Sequence, residues 1–174
     1  MIHLTGEEPP LADLAAALTE SRAAIKELIA AAEKCGAAWT TARARDKWSP
    51  SQIVEHVARA LEESGKTIKG EPSAFPTLPV LLRPLVRGVL FNRVLKKNRF
   101  FNGRTNRAMN PAAGAATAEA GRARLQRAHD LFERACKESP PRFNHGVFGD
   151  ISTAEYARFQ ALHTSHHTKQ ISRP

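Results

Sequence analysis

The chain has 174 residues, 42% of them hydrophobic and 25% charged, a balance that excludes wholesale disorder. It is long enough to bury a core unaided, and its two cysteines, Cys35 and Cys136, are too few for a disulfide framework. The net charge of +9 is local: residues 1–65 carry −3, 66–107 carry +9 and 108–174 carry +3. Cysteine usage of this kind predicts a reducing compartment, the cytoplasm. The first ten residues lack the basic start and apolar core of a signal peptide, and no apolar run reaches the length of a membrane span.

A first helix is predicted over Leu11 to Cys35, led in by Pro9 and Pro10 and stopped by Gly36. Leu11, Leu14, Leu18, Ile25, Leu28 and Ile29 form its buried stripe. The second helix has the clearest start signal, Trp48-Ser49-Pro50-Ser51-Gln52. Ser49 caps the free amides, Pro50 occupies the first helical position, and Gln52 completes a capping box. Ile53, Val57, Ala60 and Ser64 line one face, and Gly65 or Gly70 ends the helix.

Residues 71–79, with three prolines, read as a loop. Residues 80–101 interleave aliphatic side chains with Arg83, Arg87, Arg93, Lys96 and Lys97. This predicts a basic helix, with Pro84 at its start or kinking it. Residues 102–116 read as loop. A third helix runs from Thr117 to about Glu138, stopped by Pro140-Pro141, with an apolar face of Leu125, Ala128, Leu131 or Phe132, and Ala135. An irregular stretch, Phe143 to Asp150, follows. Strand signals are almost absent. Ser152-Thr153-Ala154-Glu155 predicts a second capping box, opening a fourth helix to about Ile171. Four long amphipathic helices favour an all-α four-helix bundle in one domain, with an inserted segment at about 71–116.

Chemistry concentrates in the histidines. His163 and His167 stand four apart on the fourth helix, so their rings project from one face and can converge on a metal ion. His163 and His166, three apart, could also converge, and spacing alone does not choose. His56 belongs to the buried stripe of the second helix. An inward His on one helix facing two on another supplies three neutral nitrogen donors, the usual protein share of a catalytic zinc site with one open position. His3, His129 and His145 read as ordinary residues, although His145 lies where it could border a site. Glu55, Glu62 and Glu63 share the second helix, but none is identified as a general base, since Glu55 turns away from the His56 face. Cys35 and Cys136 read as packing residues, as do Trp39 and Trp48, the latter as a staple on Ile53 or its neighbours.

Trp48-Ser-Pro-Ser-Gln-Ile-Val-Glu-His56-Val resembles the segment around the first metal ligand of the DinB/YfiT-like superfamily of metalloenzymes. Phe148-Gly-Asp-Ile-Ser-Thr-Ala-Glu155, followed by His163-Thr-Ser-His166-His167-Thr-Lys-Gln170, resembles its C-terminal signature. The match is nearest an uncharacterised branch that carries a domain-of-unknown-function label. The resemblance implies an up-down-down-up four-helix bundle, often a homodimer, with His56, His163 and His167 as metal ligands. His166 then becomes a neighbour, and Gln170 orients a ligand. Zn²⁺ or Ni²⁺ suits an all-imidazole site. The activity implied is hydrolysis or thiol transfer, through a metal-activated water or thiol, on a small-molecule substrate. The basic segment 66–107 admits three readings: a helix packed on the bundle or a dimer partner, a membrane-surface contact, or a nucleic-acid contact. No helix-turn-helix, zinc-finger or RNA-binding signature supports the last.

Overall fold

The computed structural model describes residues 11–101 and 107–172. Pro9, Pro10 and His3 lie outside them, as does the side chain of Leu11. The described residues are mostly helical, with one small two-stranded sheet. Four long helices, α1 (Leu11–Glu33), α2 (Pro50–Ile68), α5 (Ala118–Glu138) and α6 (Thr153–Ser172), surround the core. Two short ones, α3 (Arg83–Val86) and α4 (Arg93–Lys97), lie between α2 and α5. The long helices pack chiefly in two pairs, α1 on α6 and α2 on α5.

Helix α1 ends at Glu33, two residues before the predicted stop, and Gly36 adopts the left-handed conformation in the turn that follows. Its inner stripe is Leu18, Ile25 and Leu28, with Ala17, Ala24 and Ala32 beside them. Helix α2 starts as its sequence requires. The Ser49 side chain accepts from the Gln52 amide, the Gln52 side chain accepts from the Ser49 amide, and Pro50 follows the cap. The helix runs past Gly65 and stops before Gly70, whose φ of 72° reverses the chain. On α5, Phe132 is buried and Leu131 is exposed, which resolves that alternative. Thr117 caps the helix by accepting from Ala120. Ser152 accepts from Glu155 at the start of α6, and Thr153 is anchored to the Pro140 and Pro141 carbonyls.

Two elements depart from the sequence-based expectation. Residues expected to be irregular form an antiparallel hairpin, β1 (Arg142–His145) and β2 (Gly149–Ser152), with Phe143 opposite Ile151. Each strand has four residues, too few for alternation to stand out. The register becomes visible only through Phe143, His145 and Ile151, which turn inward. The basic segment is not one uniform α-helix. It runs as a 3₁₀ turn (Val80–Leu82), α3 with Pro84 in its first turn, a π-helical stretch (Arg87–Asn92) and α4, ending at Lys97. Asn98 then takes a left-handed conformation, and its side chain accepts from Arg158 of α6. Arg83 donates to the Leu78 carbonyl and Asn144, and Arg87 to the Asp150 carbonyl, bracing the segment on the hairpin.

Candidate metal centre

Helix α2 carries His56 on its core face between Ile53, Val57 and Ala60. Helix α6 presents His163 and His167 one turn apart. The Nε2 atoms of His56 and His163 are 3.3 Å apart, and those of His163 and His167 3.0 Å. One donor atom from each of the three lies within 4.8 Å of the others. Around a tetrahedral ion at ordinary Zn–N distances, nitrogens stand about 3.3 Å apart. The observed spacing of two pairs is close to that value.

Two rings have their outer nitrogens occupied. His56 donates from Nδ1 to the Met109 carbonyl at 2.7 Å, and His167 donates from Nδ1 to Gln170 Oε1 at 2.9 Å. Each bond places the proton on Nδ1 and leaves Nε2 with a lone pair facing the cluster. Gln170 is fixed in turn, donating from Nε2 to His166 Nε2 at 3.0 Å. Burial pushes the His56 and His163 rings down from their ordinary range, and takes His167 to about 3. The neighbouring imidazoles add to this by disfavouring a second positive charge. Neutral imidazole is the state a metal requires.

The surroundings are aromatic. The Trp48 ring lies 4.8 Å from His56 and 6.3 Å from His167. Phe100 packs at 5.1 Å from His163 and 6.1 Å from His166. The backbone turn that supplies the Met109 carbonyl is held by the segment after it. Ala115 accepts from the Ser51 hydroxyl and the Trp39 indole, each at 2.7 Å, and Gln52 donates to the Pro111 and Ala112 carbonyls. Gly114 permits this close approach, because a Cβ there would overlap the Ser51 carbonyl.

The family comparison settles what kind of chain carries this cluster. A family model described as a protein of unknown function (DUF1569) matches residues 14–173, nearly the whole chain, including α2 and α6. The chain belongs to the DUF1569 family. No curated protein and no solved structure matches it.

The structure brings His56, His163 and His167 into one cluster that could hold a metal ion, with His166 and Gln170 beside it. The carboxylates of α2 are engaged elsewhere: Glu55 with Arg59 and Arg124, Glu62 with Arg124, and Glu63 with Lys66 and the Ala74 amide. Neither cysteine is in a disulfide, and burial pushes the Cys136 thiol up to about 12. His129 is buried against Ser21. His145 belongs to a separate buried network with Tyr156 and Ser64. Of the basic residues, Arg83 and Arg87 are half-buried braces, while Arg93, Lys96 and Lys97 are exposed. Two contributors escape sequence reading. The Met109 group is a backbone carbonyl with no residue signature, and Phe100 packs on His163 from the stretch after the left-handed Asn98 that ends α4.

Proposed function

We propose that the protein is a metal-dependent enzyme of the DinB/YfiT-like type, built on that superfamily's four-helix bundle. His56, His163 and His167 would hold one divalent ion, Zn²⁺ or Ni²⁺. The reading rests on one observation: three imidazole nitrogens converge, and in two of the rings Nδ1 donates its proton elsewhere. Packing alone would be served by histidines paired donor to acceptor. Three facing Nε2 atoms, two of them bare, leave at most one proton to share.

An ion held by His56, His163 and His167 would supply Lewis-acid activation of a water or thiol, the chemistry of a hydrolase or thiol transferase. The chain's residues do the rest. Met109 and Gln170 hold the two outer rings in the required tautomer. Trp48 and Phe100 flank the rings with apolar surface, which lowers the local dielectric and favours small substrates with an apolar portion. The two unpaired cysteines accord with a reducing cytoplasm.

The test is elemental analysis of protein purified without a nickel column, wild type beside His56→Ala and the His56/His163/His167 triple alanine variant. About one zinc or nickel per chain is expected in the wild type, with loss in both variants. Full metal retained by the triple variant would overturn the proposal. So would a wild type that takes up neither ion when supplied.

A further inference from the structure

The helical segment 80–97 is apolar on two sides. Its inner side is used: Phe91 and Val94 are buried in the core, with Val86, Leu90 and Leu95 packed against it. Its outer side has no partner among the described residues. Leu81 is 90% exposed, Leu85 65% and Val89 59%, and Val80 and Leu82 are exposed beside them. Leu81, Leu85 and Val89 all lie on the solvent side of the segment at four-residue intervals, an apolar ridge rather than scattered exposures. Beyond the ridge come Arg93, Lys96, Lys97 and Arg99, all exposed, and none forms an ion pair with a described carboxylate. Residues 78–101 contain six cations and no acidic residue.

We infer that this face docks on an anionic lipid bilayer surface, inserting the Leu81–Leu85–Val89 ridge among the headgroups while the cations at 93–99 contact lipid phosphates. Charge complementarity selects the occupant. A second copy of the chain related by a two-fold axis would set this all-cationic segment against itself. Nucleic-acid contacts are polar as well as basic, and a ridge of protruding aliphatic side chains has no role in them. A lipid interface takes both halves: acyl chains accept a convex apolar ridge without a matching groove, and anionic headgroups attract the cations. The described helices include none long and apolar enough to cross a membrane, so the contact is peripheral. The inference is independent of any reaction at the histidine cluster.

Vesicle co-sedimentation of the full chain tests it. The vesicles are phosphatidylcholine alone and phosphatidylcholine mixed with phosphatidylglycerol, at low and high salt. The variants are Leu81→Ser/Leu85→Ser/Val89→Ser and Arg93→Gln/Lys96→Gln/Lys97→Gln. All six substituted positions are exposed, and the buried Phe91 and Val94 are left intact. Circular dichroism of each variant confirms that it has kept its helices. The wild type is expected to sediment with the mixed vesicles and not with phosphatidylcholine alone. Loss of three cations should weaken binding about 100-fold, and loss of the ridge at least about tenfold. Three results would overturn the inference. One is no sedimentation of the wild type with mixed vesicles at low salt. Another is binding indifferent to the ridge variant, which would mean electrostatic adsorption alone. The third is a dimer in sedimentation equilibrium that the ridge variant dissociates while vesicles are ignored, which would assign the ridge to a second copy.

Discussion

Gln170 offers the sharpest test of how the histidine cluster is organised. Its amide accepts from His167 Nδ1 and donates to His166 Nε2, so one side chain fixes two rings. Gln170→Leu keeps the approximate volume and removes both bonds. At about 1 kcal/mol net for each, the loss is about 2 kcal/mol, or a factor of about 30 in affinity. That falls within the tenfold to 100-fold range, roughly, that loss of a partner behind a metal-ligating histidine costs. The assay is a competition titration of Zn²⁺ against a chromogenic chelator, with wild type, Gln170→Leu and His167→Ala side by side. His167→Ala removes a donor outright and should lose more. Gln170 is half-buried in the last turns of α6, and losing about 2 kcal/mol there should lower the melting temperature of the metal-free variant by about 4–8 °C. If Gln170→Leu binds zinc as tightly as wild type while His167→Ala does not, the amide does not orient the ring and the tautomer argument fails.

Three further outcomes follow from other parts of the molecule. Ser49→Ala removes the α2 cap and should cost about 1 kcal/mol, read as a fall in Tm of about 2–4 °C; an unchanged Tm would show that the capping box contributes nothing net. Gly114→Val should displace the 111–115 segment from Ser51 and Trp39, costing about 2 kcal/mol for the two bonds to Ala115 and weakening zinc binding by loosening the Met109 carbonyl; a variant with wild-type Tm and affinity would contradict that linkage. The third concerns acid. Burial takes His145 down to about 4 from an ordinary 6.5, so below pH 6.5 the unfolded chain binds a proton that the folded chain refuses. Stability is therefore unaffected by this residue above pH 6.5 and falls as pH drops toward 4, by about 3 kcal/mol in full. Urea midpoints across that range should fall less steeply in His145→Gln, and equal slopes would refute the assignment.

How much of this was legible from the residues varies with the kind of interaction. The start of α2 is written locally, in Ser49, Pro50 and Gln52, and the helix forms there because capping needs only neighbours in sequence. The inward placement of His56 follows from its company with Ile53 and Val57, and the shared face of His163 and His167 from helical spacing. The choice between His166 and His167 was not available from spacing, because both lie within a turn of His163. It came from the resemblance, and the structure places His167 in the cluster with His166 on the far side of Gln170. The hairpin was missed because its stabilising contacts pair Arg142–His145 with Gly149–Ser152 and bury Phe143 and Ile151 against elements far away in sequence. The π-helical stretch at Arg87–Asn92 has no composition of its own. Packing of Phe91 among Phe148, Tyr156 and Phe159 fixes the side that faces the core.

The division of the long helices into two pairs bears on timing. His56 rides on α2, which belongs with α5, while His163 and His167 ride on α6, which belongs with α1. The donors are 107 residues apart and meet only when the pairs have closed on each other. Anything gripped by all three rings would therefore tie the two halves together and oppose their separation. Loading the cluster would then slow hydrogen exchange along this seam, and amide protection measured with and without the ion would read how often the molecule breathes there.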